Sequence, residues 1–340
     1  DGGAEELYKH CIRAIHKTLS RFSKRGLPLI GEGDWNDGMS SVGVNWKGES
    51  IWLAHFFYGV LDRFDEVCSL KNDFANKFLF RKRKDMLKKA INKYAWDGKW
   101  YIRSISDHGR VLGTKKAKEG KIYFNAQSWA VINNTAEGNR GITGMKSAEK
   151  YLDREYGPLL FYPAYSAPDP EIGYLTRYAA GIRENGGVYS HAATWAIMAE
   201  CMLKRKTKAY NMYKKMIPPN RGMNPDLYKG EPYAMPGNVD GPDSAFFGRG
   251  AWTWYTGSAA WMFRVIVEWI LGVRPSKEGL IVDPCIPDDW KGFKMRRLFR
   301  GKMFEITVKK DGKGRFKSSI TQMTPGHRST GAQVEIADSV

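Results

Sequence analysis

Hydrophobic residues recur at steps of three and four along most of the chain up to about residue 272, which is the spacing of amphipathic helices. Leu7, Cys11, Ile15 and Leu19 show this spacing first. The later stretches of the same character are 51–61, 86–96, 126–132, 192–203 and 259–271. The pattern predicts a mainly α fold in which helical hairpins wind as a toroid or partial barrel.

The pattern changes after Gly272. A run of apolar residues at 280–282 predicts a short strand, and the alternation from Phe304 to Val308 predicts paired strands around Gly301. We therefore expect three units: a helical unit over 1–272, a small C-terminal β element over 273–320 and a disordered tail over 321–340.

Long segments rich in Gly, Pro, Asn and Asp separate the predicted helices. They are 31–48, 162–174, 218–230 and 236–250. Loops of more than about 12–15 residues inside a compact domain are usually functional, and a helical scaffold that gathers them at one end offers a natural place for a site.

The chain is strongly basic, with 54 Lys and Arg against 36 Asp and Glu, a net charge of +18. The excess lies in short runs at 81–84, 115–118, 204–206 and 294–297. Such runs can bind polyphosphates. However, they are scattered, they lie mostly on the polar sides of predicted helices, and no known nucleic-acid-binding pattern accompanies them. We therefore expect no nucleic-acid partner.

The composition is that of a globular protein, since 42% of the residues are hydrophobic and 26% are charged. No run approaches the about 18 uncharged apolar residues of a membrane helix, and the acidic start at Asp1 is unlike a secretory signal. Four cysteines lie far apart without CxxC spacing, so we expect reduced thiols, no metal site and a cytoplasmic location. Because the chain lacks an initiator Met, we also expect it to be a fragment.

The first candidate for chemistry follows the first helix, where Asp34 and Asp37 flank Trp35 in a Gly-punctuated loop. Burial beside an indole raises the pKa of a carboxyl group and suits it to general-acid work. The indole offers a face to a sugar ring. A simple turn, in which the Asp and Asn side chains bond their own backbone, remains the alternative.

Two further candidates lie at predicted helix starts. His191 follows a polar cluster, and Thr256 and Gly257 precede the helix predicted over 259–271. Free backbone N–H groups at a helix start attract an anion, but a packing histidine and an ordinary N-cap explain the same residues. Together, an acid, an aromatic sugar platform and an anion site suggest a glycosidic bond cut by phosphate. Phosphate is already a charged nucleophile, whereas inverting hydrolysis needs a second carboxylate to activate water.

Four segments resemble glycoside hydrolase family 94: GLPLIGEGDWNDGM, RENGGVYSHAATW, EPYAMPGNVDGPDSAFFGRGAWTWYTGSAAW and ILGVRPSKEGLIVDPCIPDDWKGF. The family holds inverting phosphorylases of cellobiose, chitobiose and laminaribiose, and the phosphorylase-like module of cyclic β-1,2-glucan synthases. The resemblance implies the later part of an (α/α)6 barrel and a hexosyltransferase that uses inorganic phosphate as co-substrate and no cofactor. It also makes a homodimer conceivable.

Carried over by motif, the resemblance implies that Asp37 is the general acid. It implies that His191, Thr256 and Gly257 bind phosphate. The expected reaction turns a β-linked glucoside and phosphate into α-glucose 1-phosphate and a shortened sugar.

The same resemblance implies that Trp35, Arg183 and Glu184 bind the sugar, and that Asp34 holds its loop in shape. Gly237 stands near the point where cellobiose-type members carry a Gln, so we do not expect cellobiose in particular. A detached module of a cyclic β-1,2-glucan synthase and an inactive sugar-binding fragment remain the alternatives.

Overall fold

The structure is a computed structural model that describes residues 4–254 and 257–323, and the backbone of residues 333–336. Ten α-helices lie in these ranges, and the last continues as a π-helical turn over Val265–Ile270. They are α1 Leu7–Leu19, α2 Ile51–Leu70, α3 Phe74–Tyr94, α4 Phe124–Ile132, α5 Arg140–Leu152, α6 Ser190–Met202, α7 Lys206–Met216, α8 Pro218–Arg221, α9 Pro225–Tyr228 and α10 Gly257–Arg264. A 3₁₀ helix spans Tyr174–Arg177.

Sixteen short strands accompany the helices in the described ranges. They are β1 Glu49–Ser50, β2 Ser104–Ile105, β3 Val111–Leu112, β4 Ile122–Tyr123, β5 Asp153–Arg154, β6 Gly157–Pro158, β7 Phe161–Tyr162, β8 Val188–Tyr189, β9 Pro236–Val239, β10 Gly250–Thr253, β11 Val273–Pro275, β12 Leu280–Val282, β13 Gly292–Phe299, β14 Lys302–Lys310, β15 Phe316–Gln322 and β16 Gln333–Ile336.

The helical hairpin of α2 and α3 is longer than the sequence predicts, because α2 continues past residue 61 to Leu70 and α3 begins at Phe74 rather than near residue 86. The Ser50 side chain caps α2 by accepting from the Leu53 amide, and the Asp73 side chain caps α3 by accepting from the Asn76 amide. Between them Asn72 adopts a positive φ of 55°, which lets the chain reverse within three residues. The paired faces of the two helices contribute most of a second core cluster, to which α1, α4 and residues 101–105 also contribute.

Helices α4 and α6 form the centre of the main core. Nearly every residue of α6 is buried, and so is nearly every residue of α4, as expected for helices whose apolar residues are not confined to one face. Helix α6 packs against α4 on one side and against α7 and α10 on others. Because α6 begins at Ser190, this packing fixes the position of His191 at its first turn.

The sequence predicts a mainly α fold, but the structure is a mixture of helices and small sheets. Strands also lie before residue 272. Four sheets of two or three strands lie there: β1–β2–β3, β10–β9–β8, β4–β7 and β5–β6. Their strands pair segments that connect the helices. Two predicted loops are likewise more ordered than expected, since 218–230 contains α8 and α9, and 236–250 contains β9 and the start of β10.

The strands predicted after Gly272 are confirmed. β11 pairs with β12, and β13 pairs with β14 through a two-residue turn at Arg300 and Gly301. Both turn residues have positive φ, 50° and 74°, which matches the twist of a tight hairpin. β15 and β16 complete a four-stranded sheet. β16 lies inside the segment expected to be a disordered tail, and the unit boundaries at 272 and 320 stay predictions.

Within the described residues the helices do not close a barrel. None of the helices described in these ranges combines the length and apolarity that crossing a bilayer would require.

Candidate active site

Asp34 is the buried anchor of the loop that follows α1. Its carboxylate accepts two hydrogen bonds from the Arg103 guanidinium, both at 2.7 Å, and both side chains are completely buried. The Ser50 hydroxyl donates to it at 2.6 Å and the Asn36 amide at 2.9 Å. With four donors already engaged, the Asp34 carboxylate ties this loop to Arg103 and to the start of α2.

Asp37 lies three residues further on and is exposed. The hydroxyl of Tyr174 lies close enough to the Asp37 carboxyl group for the two to affect each other's protonation, as the raised pKa of the phenol indicates. Burial raises the pKa of Tyr174 above its ordinary value, and the nearby Asp37 carboxylate raises it further. The phenol therefore stays protonated and remains a donor.

Glu184 is a largely buried carboxyl group close to Asp37. Its pKa is raised mainly by burial, with Asp37 adding to the rise, and Tyr189 hydrogen-bonds it. Arg183 forms an ion pair with Glu184 at 3.3 Å. Arg183 thus links Glu184 to the pocket described below.

The Arg183 guanidinium lies between two aromatic rings. It is 4.6 Å from the ring centre of Tyr178 and 4.1 Å from that of Trp252. Planar guanidinium groups stack on aromatic faces in this way while keeping their N–H edges available. The backbone of Arg183 has a φ of 53°, a region that non-glycine residues rarely occupy and that clusters at functional sites.

His191 lies in the first turn of α6 against a cluster of indoles. Trp35 meets it edge-on with ring centres 5.5 Å apart, and Trp195 and Trp261 lie 4.8 and 6.0 Å away. Burial lowers the pKa of His191 to about 4, so the imidazole is neutral at pH 7. Its Nε2 atom is buried and has no hydrogen-bond partner among the residues that the structure describes.

A pocket of about 100 Å³ opens beside His191. Its lining residues are Arg183, Tyr189, His191, Gly237, Asn238, Trp252, Gly257 and Ser258. Gly257 begins α10, and a Cβ atom there would lie 3.2 Å from Nδ1 of His191, so a side chain at this position would crowd the imidazole. Thr256, expected to bind phosphate, lies outside the described residues.

The expected site residues that are described form one continuous group. Trp35 packs on His191, and His191, Gly257 and Arg183 line the pocket. Through Glu184, Arg183 reaches the neighbourhood of Asp37. What each residue does for substrate stays a prediction.

Sequence reasoning missed six further residues of the group. They are Tyr174, Tyr178, Tyr189, Asn238, Trp252 and Ser258. Four of these, Tyr189, Asn238, Trp252 and Ser258, lie inside the quoted motifs, so membership of a motif was an available signal. Tyr174 ends the predicted loop 162–174, but neither it nor Tyr178 belongs to a quoted motif, and only the folded chain brings their turn to Asp37.

The basic runs lie away from the pocket, and several of their members are paired with acids. Arg81 pairs with Asp65, and Lys84 with Asp62 at 2.7 Å. Lys206 pairs with an aspartate at 2.8 Å. These ion pairs neutralise part of the positive charge of the basic runs.

Known proteins resemble this chain in sequence and in fold. Solabiose phosphorylase of Paenibacillus borealis is 34% identical over 95% of this chain and 42% of its own length. Cyclic beta-(1,2)-glucan synthase NdvB of Rhizobium meliloti (strain 1021) is 34% identical over 91% of this chain and 11% of its own length. N,N'-diacetylchitobiose phosphorylase of Vibrio furnissii is 31% identical over 91% of this chain and 38% of its own length. The chain thus spans less than half of each relative.

A crystal structure of a GH78 family rhamnosidase of Bacillus sp. GL1 superposes with a TM-score of 0.62, covering 93% of this chain and 29% of the rhamnosidase. At 16% identity this likeness concerns the fold alone. The sequence model for the catalytic domain of the glycosyl hydrolase 94 superfamily matches residues 1–272. That match covers most of the 340 residues, and the chain therefore belongs to the glycosyl hydrolase 94 superfamily.

Proposed function

We propose that the chain is the catalytic part of an inverting glycoside phosphorylase. The reaction converts a β-linked glucoside and inorganic phosphate into α-glucose 1-phosphate and the shortened sugar. The observation that carries this proposal is the chemistry of the pocket beside His191. Its described lining offers a guanidinium, an imidazole, a side-chain amide and the start of a helix, and no carboxylate among the described residues.

Those groups suit a phosphate ion. The N-terminal amides of α10 and the guanidinium of Arg183 attract negative charge. The neutral imidazole of His191 contributes a donor without having to be protonated. We propose that His191, Gly257 and Thr256 hold the phosphate, the last from family resemblance alone.

Asp37 supplies the proton in this proposal. It protonates the glycosidic oxygen while the bond from that oxygen to the anomeric carbon breaks, and a phosphate oxygen forms the new bond from the opposite face. Hydrogen phosphate brings a proton of its own, which returns to Asp37 as the sugar phosphate leaves. No second carboxylate is needed to activate a nucleophile, in contrast to an inverting hydrolase.

Trp35, Arg183 and Glu184 are proposed to hold the sugar at the cleavage point. Trp35 is fixed by rings on several sides, including Tyr189 at 5.4 Å and Trp195 at 4.7 Å. A rigid indole of this kind gives a sugar a face to stack on with little loss of side-chain entropy.

We further propose that the helical hairpins belong to an (α/α)6 toroid, a view supported by the family match and by the fold shared with the rhamnosidase. A reducing compartment such as the cytoplasm fits the four free thiols, including the buried pair Cys201 and Cys285, which contact each other without a bond.

The synthase relative supports a second candidate. Because NdvB aligns over 91% of this chain, the same chemistry could act inside a larger β-1,2-glucan synthase. In that case turnover would favour β-1,2-linked oligosaccharides over other linkages.

The test is a panel of β-linked disaccharides and β-1,2-linked oligosaccharides incubated with and without phosphate. Release of glucose 1-phosphate that depends on phosphate supports phosphorolysis, and the preferred linkage separates the two candidates. Equal release of free glucose without phosphate refutes the proposal in favour of hydrolysis. Saturable sugar binding without any turnover indicates a sugar-binding protein instead.

A further inference from the structure

We propose that Tyr174 is a positioning residue that holds the carboxyl group of Asp37 in one orientation. This inference rests on the proposed function of Asp37 as the acid. It starts from the backbone contacts that bring Tyr174 to the loop of Asp37, 137 residues away in sequence, and the raised pKa of the Tyr174 phenol beside Asp37 supports it.

The 3₁₀ helix Tyr174–Arg177 is latched to the Asp37 loop through the backbone. The Leu175 amide donates to the Gly38 carbonyl at 3.0 Å, and the Ser41 amide donates to the Ile172 carbonyl at 3.1 Å. The Tyr174 amide donates to the Ser40 hydroxyl at 3.4 Å. The segments on both sides of Tyr174 are therefore fixed to the loop that carries Asp37.

Two glycines make this close approach possible. A Cβ atom on Gly38 would lie 2.7 Å from Cβ of Leu175, and one on Gly173 would lie 2.5 Å from the Ser40 amide nitrogen. Real Cβ atoms do not come so close to other atoms, so any side chain at either position would push the two segments apart. The chain therefore has glycine at both positions, Gly38 and Gly173, where the segment of Tyr174 approaches the loop of Asp37.

The Tyr174 ring itself is restrained. It meets Tyr178 edge-on with ring centres 6.1 Å apart. Tyr178 in turn lies against the guanidinium of Arg183. The phenol is held protonated by its surroundings, so it can donate to Asp37 throughout the neutral range.

An exposed carboxyl group without such a donor rotates among several rotamers, and only some of them point a proton at the substrate. A carboxyl group has two oxygens. When one accepts from Tyr174, the other is left to carry the proton that goes to the glycosidic oxygen. Removing the phenol hydroxyl should therefore slow reactions that need this proton and spare those that do not.

The proposed hydrogen bond from Tyr174 to Asp37 is tested first, by a measurement that requires no turnover. Tyrosines labelled with ¹³C at Cζ give one resonance each, and the variant Y174F identifies that of Tyr174. We expect this resonance to shift, and its titration to move to lower pH, in the variant D37A. The matched control is E32Q, an exposed carboxylate of the same loop, which should leave it unchanged. A Tyr174 resonance that ignores D37A overturns the inference, whether or not the protein is a phosphorylase.

The positioning role is then tested by leaving groups. Phosphorolysis of 2,4-dinitrophenyl β-glucoside forms the same bond to phosphate, but the dinitrophenolate departs with its electron pair and needs no proton. General acids contribute about 10²–10⁴-fold, so we expect Y174F to lose at least about tenfold in kcat on the preferred disaccharide. On the aryl glucoside the loss should be less than about threefold.

The control Y233F removes the hydroxyl of an exposed tyrosine and should match the wild type on both substrates. Equal losses of Y174F on both substrates, or no loss on either, contradict the inference. A wild-type protein that forms no sugar phosphate from either substrate refutes the proposed function instead, and the resonance experiment still decides whether Tyr174 holds Asp37.

Discussion

The substitution Asp34→Asn separates the role of Asp34 from that of Asp37, two carboxylates only three residues apart. In the wild type, Asp34 neutralises the buried guanidinium of Arg103 through two hydrogen bonds of 2.7 Å. Asparagine has nearly the same shape but no charge, and its amide nitrogen faces a donor where an oxygen accepted before. Arg103 is then left buried and uncompensated.

The cost follows from the burial of both partners. Breaking a buried ion pair by removing one charge costs about 3–5 kcal/mol, far more than the about 0–1 kcal/mol of an exposed pair. The side chains of Asp34 and Arg103 are both 0% exposed, so this is a buried ion pair. The matched substitution Asp37→Asn changes an exposed side chain, and such changes usually stay within about 0.5 kcal/mol.

Urea unfolding followed by tryptophan fluorescence measures both variants, since the loop residue Trp35 and its neighbouring indoles report on this region. We expect Asp34→Asn to lower the free energy of unfolding by about 3–5 kcal/mol and Asp37→Asn to leave it nearly unchanged. A loss below about 1 kcal/mol for Asp34→Asn would refute the structural role, and so would an equal loss in both variants.

Three further predictions concern the pocket. Gly257→Ala places a methyl group 3.2 Å from Nδ1 of His191. It should raise the KM for phosphate about tenfold, which is the effect of losing one hydrogen bond to a charged group. The control Gly312→Ala, whose methyl group would meet nothing within 4 Å, should leave that KM unchanged. Arg183→Lys loses the planar stacking on Trp252 and should raise the KM for sugar or phosphate about tenfold without changing the free energy of unfolding; unaltered steady-state kinetics would contradict this. The pKa of His191 is lowered to about 4, so protons favour the unfolded chain as pH falls from about 6.5 to about 4. The free energy of unfolding should therefore drop less between pH 7.5 and pH 5 in His191→Gln than in the wild type, and equal drops would show that the imidazole is not buried.

The sequence predicted six of the ten described helices because their apolar spacing is local, but it missed α5, α7, α8, α9 and the first half of α3. The buried stretches that became α2, α4 and α6 are apolar enough to be read without knowledge of their partners, and the hairpin at Gly301 carries its own alternation. The small sheets before residue 272 escaped prediction, since strands of two to four residues have no period of their own. They form only where packed helices bring two loops together.

The candidate site was predictable in part for the same reason. Asp37, His191 and Gly257 lie in long motifs, so a resemblance could identify them. The role of Asp34 could be expected, but its partner Arg103, 69 residues away, could not, because Arg103 carries no pattern of its own. Tyr174 likewise becomes visible only when the backbone latch to Gly38 is known. Long-range polar contacts depend on geometry that the linear pattern does not contain.

The central claim is that Asp37 donates a proton while phosphate attacks from the opposite face, and ³¹P nuclear magnetic resonance of the reaction mixture tests it most directly. With the preferred disaccharide and inorganic phosphate, we expect a new resonance of an α-configured sugar 1-phosphate. We also expect a rate lowered about 10²–10⁴-fold in Asp37→Asn. A β-configured sugar phosphate, an undiminished rate in Asp37→Asn, or free glucose formed equally fast without phosphate would contradict it.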